Sequence, residues 1–168
     1  HSAPVAIGAI EVFLTEYAVA HPDRCILRVA PNGLRVACVG SGPASMSCAD
    51  ELAKRGFAVT IYEARQLPGG LLMNGIPAFK LEKSVVDRRF ELLRQRGVEF
   101  HLDAQLDRDF TYRQLQTDFD AIYLGFGARK VRELNLPGRH LKGVNQALGL
   151  LVQDRAAVAG TTPPIVVA

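Results

Sequence analysis

RVACVGSGPASMSC, residues 35–48, runs from a short apolar segment into a glycine pair and on into helix-forming sequence. RVACV has the apolar, partly β-branched character of a buried strand. Gly40 follows it directly and permits a tight turn, while Gly42 lets an incoming anion approach the backbone. Pro43 suits the first turn of a helix, where its missing N–H costs nothing. A helix opening there offers unpaired N–H groups and the positive end of its dipole. The stretch therefore reads as a dinucleotide-binding turn of the Gly-x-Gly-x-x type, with Ser45 standing where a third glycine is usual. That third position serves helix–strand packing rather than phosphate contact, so a small serine should cost packing tolerance more than binding.

The neighbouring sequence supplies the context that a lone glycine pattern lacks. AVTIY reads as a second strand, and Glu63 follows it 23 positions after Gly40. An acid at that place accepts hydrogen bonds from ribose hydroxyls and repels a 2′-phosphate, which argues against NADP at this turn. A strand–turn–helix without a ligand is the plain alternative; strand, glycines, helix and acid together weigh against it. FAD and NAD share the same ADP half, so this stretch does not choose between them.

Working outward, residues 43–55 read as a helix with Lys54 and Arg55 in its last turn and Gly56 as the stop. Residues 84–96 read as another, capped by Ser84 with Asp87 as reciprocal partner and buried through Val86, Phe90 and Leu93. VEFHL and DAIYL supply third and fourth strands, the latter running into Gly125 and Gly127, and Thr111 is placed to cap a short helix between them. Strands alternating with helices predict an α/β fold with a Rossmann-like parallel sheet, a partial FAD/NAD(P)-binding domain. An N-terminal helix over residues 4–18 precedes it, with Ile7, Ile10, Leu14 and Tyr17 as its apolar stripe, and an irregular linker follows. The expected boundary near Leu34 divides the chain into residues 1–33 and 34–168. Residues 67–81, rich in glycine and proline, are too long for an ordinary connection and read as a functional loop. Ile165, Val166 and Val167 look like the start of a strand, and the chain, opening on His1, reads as a fragment.

Composition narrows the functional classes. The 168 residues are 48% hydrophobic and 22% charged, as expected of a soluble globular protein, with a net charge of only +3. Basic and acidic residues are interleaved, so no nucleic-acid partner is expected. No apolar run reaches the roughly 20 residues that cross a bilayer, so no membrane association is expected and the cytoplasm is the natural compartment. Cys25, Cys38 and Cys48 lack CxxC spacing and read as buried thiols rather than metal ligands. His1, His21, His101 and His140 show no ligand spacing, and Asp107, Asp109, Asp118 and Asp120 read as turn residues. The five basic residues between Gly127 and Gly143 read as a solvated loop. No catalytic residue and no metal site is predicted.

PGGLLMNGIPAFKLEKSVVDRR, residues 68–89, together with the glycine turn, Glu63 and the glycines after the fourth strand, carries a specific resemblance. It resembles the flavoprotein family of the glutamate synthase small (β) subunit and of the NADPH/FAD half of dihydropyrimidine dehydrogenase. FKLEKSVVDRR looks more like the first branch and GPAS more like the second. The resemblance implies FAD at this turn, with Gly40, Ser41, Gly42, Pro43 and Ala44 around the pyrophosphate and Glu63 and Ala64 at the ribose. Gly69, Gly70, Leu71 and Leu72 would run beside the ribityl and phosphate portion, and Gly75, Ile76 and Lys80 near the isoalloxazine ring. A lysine there can stabilise charge on a reduced flavin; the alternative for Lys80 is an exposed solubilising charge. Leu106 would meet adenine through its backbone, and Gly125 and Gly127 would let the fourth strand approach the cofactor. Members pass electrons from NADPH through FAD to iron–sulfur clusters, with an iron–sulfur protein or large subunit as acceptor. Residues 1–33 would correspond to the closing helix of a cluster domain plus a linker. The cluster cysteines, the NADPH site and the returning part of the flavin domain would lie outside this chain. A stand-alone domain that binds no flavin is the reading from a different class.

Overall fold

Arg35–Val39 (β1) lies at the centre of a four-stranded sheet because its residues tolerate burial on both faces. Ala58–Tyr62 (β2) pairs with one edge of it and Ala121–Leu124 (β4) with the other. Glu99–His101 (β3) lies outside β2, giving the order β3-β2-β1-β4 with every pair parallel. The computed structural model describes residues 4–25, 29–128, 130, 132, 135–152 and 165–167.

Successive residues of β1 face opposite sides of the sheet. Cys38 joins Met46, Ala49, Ile61, Phe90 and Leu93 in the larger core cluster, between the sheet and the helices Pro43–Ala53 (α3) and Lys83–Gln95 (α5). Ala37 and Val39 pack on the other side with Leu115 of Tyr112–Asp118 (α6), alongside Tyr62, Phe110 and Phe119. The predicted Rossmann-like parallel sheet is thus present, with helices on both faces. Burial and the adjacent Cys48 push the Cys38 thiol up to about 12; Cys38 is a buried free thiol and Cys48 a half-buried one.

Several local expectations are refined. Thr111 caps α6 as predicted: Gln114 N–H donates to Thr111 Oγ1 at 3.3 Å while Thr111 N–H donates to Gln114 Oε1 at 2.7 Å. Ser84 is not the cap of α5. That helix begins at Lys83 with Glu82 as its N-cap and no side-chain cap, and Ser84 lies exposed in its first turn. Leu71–Asn74 forms a one-turn helix (α4) inside the loop that showed no periodicity. Ile7–Ala20 (α1) is helical, but Ile7, Ile10, Leu14 and Tyr17 are all exposed. Its link to the rest is a paired hydrogen-bonded bridge, Arg88 Nη1 and Nη2 to the two Glu16 oxygens at 3.0 Å each. Pro22–Cys25 (α2) adds a short helical turn within the expected linker. Val144–Gln146 (β5) leads into Ala147–Val152 (α7) and pairs in parallel with Ile165–Val167 (β6), the run read as a strand. His1 and part of the basic loop (129, 131, 133–134) lie outside the described residues.

Candidate dinucleotide site

Two backbone hydrogen bonds frame the turn after β1. Gly40 N–H donates to Tyr62 O at 2.7 Å, and Gly125 N–H donates to Val39 O at 2.8 Å. Gly40 takes φ +97°, and a Cβ there would stand 2.6 Å from Gly125 O and 2.8 Å from Phe126 Cα. Only glycine fits both that conformation and that approach of β4. Gly42 is the N-cap of α3 and makes no side-chain cap; Pro43 occupies the first helical turn, which contains no acidic residue. The helix thus supplies no counter-charge to its own positive end from its first turn.

Glu63 ties this turn to two others. It is 4% exposed; its Oε2 accepts from Ser41 N–H at 3.0 Å and from Ser41 Oγ at 2.5 Å. Its Oε1 accepts from Arg65 N–H at 2.9 Å. Ser41 Oγ in turn accepts from Gly69 N–H at 2.9 Å, so one buried hydroxyl joins the glycine turn, the acid and the 67–81 loop. A carboxylate oxygen offers about two acceptor positions. Oε2 is therefore filled, and Oε1 retains one for a ligand hydroxyl.

Ser45 is fully buried and its Oγ has no hydrogen-bond partner. A Cβ on Gly125 would stand 2.1 Å from that Oγ. The serine in the third glycine position is accommodated by the glycine that follows β4, at the contact between helix and strand end.

A cavity of about 700 Å³ opens over the turn, within the ~300–1,000 Å³ usual for small-molecule sites. Its wall contains the predicted Gly40, Ser41, Gly42, Pro43, Ala44 and Glu63. Gly70, Leu71, Gly125 and Gly127 line it as well. A second hollow of about 190 Å³ beside Gly40 and Tyr62 contains Ala64 and Leu106. Gly69 and Gly75 are buried, Leu72 packs on the core, and Ile76 and the exposed Lys80 stand outside both hollows. Sequence reasoning missed Arg65, the exposed β4 residues Tyr123 and Leu124, Phe126, and Leu148, Gly149 and Val152 of α7. The α7 residues carry no motif; they reach the cavity only through the tertiary path of the chain. Among the described residues no group of three or more His, Cys, Asp or Glu could hold a metal, and no helix is long and apolar enough to cross a membrane.

Residues 38–97 match the model of the NAD(P)-binding Rossmann-like domain. The glutamate synthase [NADPH] small chain of Mycobacterium tuberculosis (strain ATCC 25618 / H37Rv) is 45% identical over 152 residues, 88% of this chain and 30% of that protein. The protein of the same name from Halomonas elongata is 40% identical over 153 residues, 89% of this chain and 32% of its own length. The chain thus spans about a third of the length of these relatives. Among solved structures, Mycobacterium tuberculosis FprA in complex with NADPH matches with a TM-score of 0.59 at 26% identity, covering 66% of this chain and 26% of FprA. The sheet order, the glycine turn and the acid after β2 agree with these likenesses. The chain has a Rossmann-like fold that matches the NAD(P)-binding Rossmann-like domain over residues 38–97, and over most of its own length it is similar in sequence to glutamate synthase [NADPH] small chains.

Proposed function

We propose that this chain is the FAD-binding portion of an NADPH-dependent oxidoreductase of the glutamate synthase small-chain type, which passes electrons from NADPH through FAD to iron–sulfur clusters. The observation that carries the reading is Glu63, buried and fixed by Ser41 and Arg65 beside an uncapped helix end, with one acceptor position left over. The backbone N–H groups at the start of α3 bind the pyrophosphate, and Gly40 and Gly42 let it come close. Glu63 Oε1 accepts from a ribose hydroxyl and disfavours a 2′-phosphate. Ala64 and Leu106 line the hollow that receives the adenine. Gly70 and Leu71 form the cavity wall that, with Gly69 and Leu72, runs beside the ribityl and phosphate portion, and Gly75, Ile76 and Lys80 lie toward the isoalloxazine ring. When bound, FAD supplies hydride acceptance followed by one-electron release; the protein holds and orients it.

In this proposal residues 34–168 belong to the flavin-binding unit, and residues 1–33 lead in from a cluster-bearing region. NADPH is bound elsewhere in the parent enzyme, whose electron acceptor is an iron–sulfur protein or a large subunit in the cytoplasm. Titration of the 168-residue chain with FAD, followed by flavin fluorescence and by thermal shift, tests the assignment. Quenching and a raised Tm are expected for FAD and not for NADP+. Glu63→Gln should weaken FAD by about 1–3 kcal/mol, the usual cost of an unpaired polar group. A chain that leaves FAD fluorescence and Tm unchanged is a domain that binds no flavin by itself, and the proposal then fails for it.

A further inference from the structure

We infer that Lys83 is a positioning residue for the cavity wall, a cation that clamps the backbone between Leu72 and Ile76 and thereby holds Gly70 and Leu71 in place. The inference rests on the flavin reading only for the identity of the ligand. Helix α4 is four residues long, far below the length at which a helix persists unaided. Its internal bonds are few: Asn74 N–H to Gly70 O at 3.0 Å, Gly75 N–H to Leu71 O at 2.9 Å and Ile76 N–H to Leu71 O at 2.8 Å. The carbonyls that follow have no further turn to receive them.

Lys83 meets them from the start of α5. Its half-buried side chain turns back so that Nζ donates to Leu72 O at 2.6 Å and to Ile76 O at 2.5 Å. A compact ammonium with three donors suits two converging carbonyls, and a cation is favoured where helix carbonyls point. The other end of α4 is seated on the nucleotide turn, since a Cβ on Gly70 would stand 3.0 Å from Gly42 Cα. Leu71, half exposed, faces the cavity between these two fixings. Releasing the Lys83 end therefore frees the wall while the glycine turn, Glu63 and the adenine hollow stay as they are. Lys83 lies three residues beyond Lys80, which is exposed and outside the cavity wall.

Lys83→Met in the 168-residue chain tests this with three measurements: FAD affinity, ADP affinity and amide hydrogen exchange at Gly75 and Ile76. The expected result is FAD binding weakened about tenfold, ADP binding within about twofold of the parent chain, and faster exchange at both amides. Should Lys83→Met fold poorly, Lys83→Gln, which keeps a donor but shortens the reach, gives the same pattern at smaller amplitude. Unchanged exchange overturns the clamp, and so does an equal loss of FAD and ADP, which marks general destabilisation. If the unmodified chain binds neither nucleotide, the flavin reading fails, and exchange at Gly75 and Ile76 still decides the role of Lys83.

Discussion

The two ends of α3 are built on opposite rules. At the first, Gly42 and Pro43 provide no cap and no acid, and the cavity opens directly over the bare N–H groups. Toward the second, charges are matched closely. Asp50, only 4% exposed, takes Lys54 Nζ and Arg89 Nη2 at 2.8 Å each and is also paired with Arg96. Glu51 holds Lys54 and Arg55 at 2.9 and 2.7 Å, and Asn32 Nδ2 donates to Arg55 O at 3.1 Å. Lys54 and Arg55 also suit the negative pole of the helix dipole. Ion pairs crowd one end of the helix, while the first turn at the other carries no charged side chain and borders the cavity.

Three substitutions break or sharpen that contrast. Gly40→Ala at the open end should have the largest effect, because a methyl at φ +97° meets the β4 backbone at 2.6 Å. A loss of about 3–5 kcal/mol is expected in urea unfolding, combining backbone strain and a clash that no rotamer relieves. A loss below about 1 kcal/mol would mean that β4 moves aside freely. Asp50→Asn should follow at about 2–3 kcal/mol, since Arg96, whose side chain is 10% exposed, loses its carboxylate. The value sits low in the range for broken buried pairs because Lys54 and Arg89 reach solvent, at 37% and 41% side-chain exposure. Ligand affinity should be retained in that variant, which separates anchoring from binding.

Glu51→Gln should have the smallest effect. Hydrogen bonds from Arg55 and then Lys54 hold the Glu51 carboxyl down at about 2 from 4.5. A lowered folded-state pKa contributes stability above the unfolded value and loses it as pH falls, so this contribution fades between about 4.5 and 2. Parent and variant should differ slightly in Tm at neutral pH and converge at the acid end. In about 1 M salt, where exposed pairs are screened, they should differ little at any pH. A difference that persists in salt would make Glu51 part of the buried anchor with Asp50.

The sequence made the open end of α3 far more legible than the wall opposite. RVACV, AVTIY, Gly40, Gly42 and Glu63 signal through local rules, short continuous apolar runs, a required positive φ at Gly40 and a fixed spacing between turn and acid. These survive folding because nothing distant competes with them. Ser84 misled because a capping pattern weighs only local hydrogen bonds, and Lys83 is turned back toward a loop 7 and 11 residues upstream. The stripe on α1 follows helical periodicity correctly, but its residues remain exposed among the described residues. Tyr123, Leu124 and the α7 residues reach the cavity by the path of the chain, for which no short pattern exists. Lys80 and Lys83 both lie in the stretch that carries the resemblance; Lys80 is exposed, and the half-buried Lys83 is the one whose Nζ reaches back to that loop.

Ser45 and Gly125 occupy what is in effect one volume shared between two positions 80 residues apart. Bulk can sit on the helix or on the strand end, never on both. A side chain can enter at 125 only once the Ser45 hydroxyl is removed or turned aside. Even then Tyr123 must swing aside, since its ring would stand 2.9 Å from the new Cβ. The serine at 45 therefore depends on the absence of a side chain at 125.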